Sequence, residues 1–392
     1  MPGFYVKDGV LMEAGKEIRE FGLNVPDLLL SWLGNSDSAK VQNSTTPVIY
    51  QTNYAANFDT IIGLGFRVVR FSLFGLRPLT FQKTWVEQRN TYLSKLDALV
   101  ASAEVKGIRL IPSLFWSATQ FAPYFSEHLN AIGDPTSATY AAMQEITSTI
   151  VARYKNSPAI AMWEFGNEYD GQIGINGQFV GLNATAPSNG YSVDATMGTP
   201  SAWTYPQDGL VKESVYTAMS AFQAVVKAVD SAPAYAGEKA SRATASGNNG
   251  YRFRKVVKSF SEFFGDRFED DKTDTLGAHP YESSDYYDTD YGGFETYLTR
   301  MVNSGRAAGK PYIIGEFGVN KNYAGSSRLY SQQQARIASN IATAGVQLAL
   351  LWLWPAVTGT DGSWSFRADE ATGNRGAELT FLSELNKIYK AR

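Results

Sequence analysis

The chain has no cysteine and only two histidines in 392 residues. The first absence excludes disulfides, thiol nucleophiles and thiolate metal sites. The second leaves no zinc motif, because His128 and His279 are far apart, and no metal ligand set is expected. Basic residues form no block, and the net charge is -3, so a nucleic-acid or anionic-membrane partner has no electrostatic footprint. No apolar run reaches about 18 residues, which excludes an expected transmembrane helix. The opening Met1-Pro2-Gly3-Phe4 lacks the basic-then-apolar pattern of a signal peptide. Gly63-Leu-Gly65 lacks the third glycine of a dinucleotide loop, Gly305 to Lys310 is one residue short of a phosphate loop, and no Gly-x-Ser-x-Gly elbow occurs. No cofactor is expected.

Aromatic side chains, by contrast, are abundant: 8 Trp, 22 Tyr and 22 Phe. Most belong in a core, but such rings also stack on the flat faces of sugars. At 44% hydrophobic and 19% charged, the chain can bury a sizeable core and reads as globular.

Short apolar strands alternate with helical stripes along the whole length. Strands are expected at Ile18 to Leu30, Gly65 to Ser72, Ile108 to Trp116, Ala159 to Glu168, weakly at Ala240 to Ser246, Asp274 to Tyr281, Pro311 to Val319 and Gln347 to Trp354. Helices are expected near Tyr54 to Leu64, Arg89 to Lys106, Thr139 to Tyr154, Leu210 to Val229, Phe253 to Phe264, Gly293 to Ala308, Ser331 to Ala344 and Ala377 to Tyr389. Eight strand-then-helix units fit a closed parallel (β/α)8 barrel forming one domain over residues 1–392, with a doubly wound open sheet as the competitor. An average barrel needs about 250 residues, so the surplus belongs in long loops on one face. The stretch from 169 to about 210, rich in Gly, Asn, Ser and Thr and punctuated by aromatics, is read as a lid or a wall of a binding cleft.

Chemistry in such barrels collects at the carboxyl ends of the strands. Two strands end there in carboxylates: Trp163-Glu-Phe-Gly-Asn-Glu168 and Ile313-Ile-Gly-Glu-Phe-Gly318. Side chains from the fourth and seventh strands can face each other across the barrel mouth. One carboxyl group can then protonate a leaving oxygen while the other attacks or activates water. Glu164, on the same strand face as Glu168 but deeper, is read as a structural partner for an inward arginine.

These motifs resemble those of the clan A retaining glycoside hydrolases, most of all glycoside hydrolase family 5, the cellulase and mannanase family. The similarity extends from about Arg19 to Trp354. It includes Arg70 at the end of the second strand, His279-x-Tyr281 on the sixth, and Trp352 or Trp354 on the eighth. Even Val6-Lys-Asp-Gly-Val-Leu resembles the family's lead-in to its first strand.

The resemblance implies Glu168 as general acid/base, Glu316 as nucleophile and Asn167 as partner of the sugar 2-hydroxyl. Arg70 and Tyr281 would hold Glu316 ionised, whereas a neighbouring carboxylate and partial burial would keep Glu168 protonated. Where the family often places a histidine after the third strand, this chain has Phe115-Trp116, and Trp116 is either a sugar platform or core.

The expected activity is retaining hydrolysis of a β-linked oligo- or polysaccharide, by an endo-β-mannanase or endo-β-glucanase. The alternatives are an exo-acting β-glycosidase and a carbohydrate-binding barrel without catalysis. The expected location is secreted or periplasmic, with any signal peptide absent from this chain, or else cytoplasmic.

Overall fold

A computed structural model describes residues 3–31, 49–74, 78–116, 120–172, 174–175, 178–179, 210–248, 272–281, 292–319, 327–352 and 375–391. Its centre is a sheet of eight strands: β1 (Glu20–Asn24), β2 (Val68–Ser72), β3 (Arg109–Phe115), β4 (Trp163–Gly166), β5 (Thr244–Ala245), β6 (Leu276–Ala278), β7 (Tyr312–Phe317) and β8 (Leu348–Leu351). Spatial order runs β5-β4-β3-β2-β1-β8-β7-β6, and every neighbouring pair is parallel. The remaining seam, between β5 and β6, is bridged where Thr275 N–H donates to Thr244 O at 3.2 Å and Thr244 N–H donates to the Asp274 carboxylate at 2.9 Å. The sheet is therefore a (β/α)8 barrel.

Helices α1 (Tyr54–Gly63), α2 (Arg89–Lys106), α3 (Ala138–Tyr154), α4 (Lys212–Val229), α5 (Phe294–Ala307), α6 (Ser327–Ala344) and α7 (Arg375–Lys390) follow strands β1, β2, β3, β4, β6, β7 and β8 in turn. The helix expected at Phe253 to Phe264, the stretch 180–209 and Trp354 lie outside the described residues. The expected bounds hold to within a few residues, except at the first strand. Past Asn24, Val25 N–H still donates to Arg70 O and Pro26 O accepts from Ser72 N–H, but Pro26 has no N–H of its own to extend the strand, and Leu30–Ser31 instead pairs antiparallel with Ile49–Tyr50.

Strand alternation sorts the side chains. On β2 Val69 and Phe71 face the helices, while Val68 and Arg70 point into the barrel; on β8 Ala349 and Leu351 face out, Leu348 and Leu350 in. The inner apolar layer is closed from below by an N-terminal hairpin, Phe4–Lys7 with Val10–Glu13, which contributes Phe4 and Leu11. Gln347 fixes this plug by bonding both the N–H and the C=O of Leu11, at 2.7 and 3.0 Å. Above this hydrocarbon layer lies the polar cluster built around the buried Arg70.

Strand β4 is also anchored from outside. Trp163 Nε1 donates to Asp230 beyond the end of α4 at 2.9 Å, and the same carboxylate is bound by the buried Arg242 leading into β5. This fixes the strand that delivers Asn167 and Glu168.

Candidate active site

Five elements converge on one polar cluster. Strand β1 brings Asn24, β2 brings Arg70, and β4 brings Glu164 with Asn167 and Glu168 just beyond its end. The segment after β6 brings His279 and Tyr281, and β7 brings Glu316. Arg70 is completely buried and donates to four side chains: Glu164 through Nε at 2.7 and 2.9 Å, Glu316 and Asn24 through Nη1 at 2.9 and 3.0 Å, and Asn167 through Nη2 at 2.8 Å. Tyr281 donates its hydroxyl to the other oxygen of Glu316 at 2.6 Å. His279 Nδ1 lies 2.8 Å from Glu168 Oε1 and 3.5 Å from Glu316. An oxygen of Glu168 and one of Glu316 come within 4.8 Å of each other.

Local backbone features make this possible. Between Ile314 and Phe317, β7 uses one residue more than β8, a bulge that redirects Glu316. Gly315 within that bulge lies against the His279 ring, where an added Cβ would come within 2.6 Å of Nε2. Glu168 adopts a left-handed φ of 53°, a conformation that costs a side-chain residue about 1–3 kcal/mol. Its N–H is held by Gly247 O at 2.8 Å, and Gly247 itself has φ +72° and leaves no room for a Cβ, which would lie 1.9 Å from Gly166 O.

The two facing carboxylates differ in environment. Glu316 is buried, whereas the Glu168 side chain keeps 16% of its exposure. Burial, reinforced by the charge of Glu168, lifts Glu316 above the usual carboxylate range, against the opposing pull of His279, Arg70 and Tyr281. Arg70 and Tyr281 contact Glu316 as expected and pull its proton affinity down, while desolvation acts in the opposite sense and outweighs that pull. Burial also presses His279 down, yet the Glu316 charge and the hydrogen bond to Glu168 overcome it and raise its pKa. Burial and then the Glu316 charge raise Tyr281 well above the usual phenol value, keeping it a hydrogen-bond donor.

The histidine shift is directly measurable, since the chain contains only two. In NMR titration of the ring signals, His279 is expected to titrate above the ordinary imidazole value and to fall back in Glu316→Gln. Its stabilising charge is fully present below the unfolded pKa and disappears as pH rises through the raised folded one. A His279 signal that titrates at or below the ordinary value would contradict the charge arrangement.

Glu168, His279 and Glu316 can each offer one ligand atom to a cation. His279 Nδ1 already serves Glu168, and the Arg70 guanidinium on Glu316 opposes a second positive charge there.

Of the expected aromatic contacts, Trp352 and Trp116 are described. Trp116 is fully buried, with Arg70 over its ring at 4.5 Å and Trp352 stacked beside it at 6.2 Å. Of the two roles left open for Trp116, the structure places it beneath the arginine rather than on an exposed wall. Asn24 was not singled out from sequence. Besides accepting from Arg70, it donates to Gly315 O in the β7 bulge at 2.9 Å. The available signal was a polar residue at a strand end, the same one that marks Asn167.

The barrel fold recurs in known proteins to which this chain is similar. Over 306 residues, 76% of this chain and 56% of the relative, it is 22% identical to a probable mannan endo-1,4-β-mannosidase F of Neosartorya fischeri. The endo-1,4-β-mannanase of Rhizomucor miehei superposes with a TM-score of 0.67 at 17% identity, each chain covered completely. An exo-β-1,4-mannosidase from an Opitutaceae bacterium gives 0.55 at 17% identity, over 97% of this chain and 61% of that one. These matches are consistent with clan A of the glycoside hydrolases, family 5. The chain aligns with 56% or less of the length of the curated relatives it matches, and no family model matches it.

Proposed function

We propose that the chain is a single-domain catalytic barrel that hydrolyses a β-1,4-linked mannan internally, with retention of configuration. The observation that carries this reading is the approach of Glu168 and Glu316 within 4.8 Å. That closeness suits a direct attack, for which carboxyl groups stand about 5–5.5 Å apart, and leaves too little room for the water that an inverting pair holds across about 6.5–9.5 Å. The similarity to mannanases supports the choice of sugar.

In the first step a Glu316 oxygen bonds to the anomeric carbon as the glycosidic C–O bond breaks. The bonding pair leaves on the glycosidic oxygen, which takes the proton of Glu168. In the second step Glu168 accepts a proton from water as that water's oxygen displaces Glu316, and both carboxyl groups return to their starting states. Asn167, its Oδ1 fixed by Arg70, faces the 2-hydroxyl of the reacting sugar, and Trp352 lies beneath that sugar. The chemistry is completed by side chains of the protein, without a cofactor. A substrate of polymer size suits action outside the cell; none of the described helices is long and apolar enough to cross a membrane.

Chromatography of products from mannan, β-glucan, xylan and galactan tests this reading. A ladder of oligosaccharides from mannan is expected; mannose alone would replace it by the exo-acting reading, and no product from any polymer would favour a binding barrel. The acid/base role has a separate test. Glu168→Ala is expected to slow hydrolysis of mannan by roughly 10²–10⁴-fold while sparing the first step on aryl glycosides whose leaving groups need no proton. Equal loss of that first step on both kinds of substrate would remove Glu168 from the role.

A further inference from the structure

The Arg70 guanidinium has five N–H groups, and all of its nitrogens are engaged. Nη1 serves Asn24 and Glu316, Nη2 serves Asn167 and the Gly166 carbonyl, and Nε is held by both oxygens of Glu164. Because the group is planar and rigid, fixing Nε fixes the direction in which both Nη atoms point. Trp116 covers one face of it and removes the remaining freedom to tilt.

Glu164 is 2% exposed and sits one turn of the β4 pleat below the carboxyl end. In register it lies between Ser113 of β3 and Ala245 of β5. Gly247 makes room for its carboxyl carbon, which would lie 3.1 Å from an added Cβ. Among the described residues, every hydrogen bond of its carboxylate goes to Arg70. A buried carboxylate held so specifically does not face the cleft, yet it takes part of the one positive charge that also serves Glu316.

We propose that Glu164 is a positioning residue for Glu316. It aims the Arg70 guanidinium at the Glu316 and Asn167 oxygens, and it shares that cation's charge so that Glu316 keeps the electron density needed to attack the anomeric carbon. This rests on the glycosidase reading given above. The groups facing Glu316 are Arg70 from β2, Glu168 from the end of β4, and His279 and Tyr281 from beyond β6; Glu164 acts on it through Arg70.

The test is the pH dependence of mannan hydrolysis in Glu164→Gln, run beside the unaltered protein. Loss of the shared negative charge gives Glu316 a larger part of the cation, so it releases its proton more readily. The acid limb of kcat/KM moves to lower pH, and kcat falls on the order of 10²-fold with KM little changed. In an Arg70→Met background the Glu164→Gln change is expected to cause no further loss of kcat, because the group it works through is gone. That double variant also removes both charges together, so it answers the question if the single variant does not fold. An unshifted acid limb with undiminished kcat, or an equal loss of kcat in the Arg70→Met background, would overturn the role of Glu164. Absence of turnover by the unaltered protein would instead remove the glycosidase reading on which the role depends.

Discussion

Glu316→Ala is expected to lower turnover on the order of 10⁵-fold or more, as happens when a member of a cooperating covalent-catalysis group is removed. The reason lies in the bulge of β7. Among the described residues no neighbour is free to replace the lost carboxylate: Glu168 is engaged by His279, and Glu164 is tied to Arg70 deeper in the barrel. The space vacated by the side chain admits a small anion. Azide or formate is therefore expected to restore turnover of an activated β-glycoside, giving an α-linked product because the anion attacks from the face that Glu316 occupied. Undiminished turnover in Glu316→Ala, measured with purified variant and free of rescuing anion, would exclude it as the nucleophile.

Arg70→Met is the change with the largest expected effect on stability. It leaves two buried carboxylates, Glu164 and Glu316, without the cation between them, and breaking a buried pair from one side costs about 3–5 kcal/mol. It also deprives Asn24 and Asn167 of their shared donor. The penalty has a definite pH dependence. Orphaned carboxyl groups in the folded state hold protons more tightly than in the unfolded chain, so they destabilise the fold above their unfolded pKa and cease to do so once protonated. The gap to the unaltered protein in urea denaturation should therefore narrow as pH falls from 8 toward 5. A variant as stable as the parent, or a gap that widens on acidification, would show that Arg70 is not the hub of the cluster.

Much of this site could be read from residue order because strand ends in a parallel barrel are functional positions regardless of loop detail. Glu168 and Glu316 stood out as carboxylates at such ends, and the resemblance to family 5 singled out Arg70, His279 and Tyr281 at others. Glu164 was legible by the same logic, since two-residue alternation put it inward below Glu168, where only an ion pair could accommodate it. Asn24 was missed because the apolar run through Leu30 concealed the strand end that Pro26 imposes. The place of Trp116 depends on a contact between a ring and a guanidinium from different strands, for which no sequence spacing is diagnostic. The opposing effect of burial on Glu316 was not legible, because donors can be counted along a chain, whereas desolvation depends on everything packed around the group.

We propose double displacement by Glu168 and Glu316 on a β-mannan. It is tested most directly by proton NMR of the reducing ends formed in the first minutes of mannohexaose hydrolysis, before mutarotation scrambles them. The paired carboxylates predict that β-anomeric ends appear first and the α-anomer follows only by mutarotation. Initial formation of the α-anomer would contradict a covalent intermediate on Glu316.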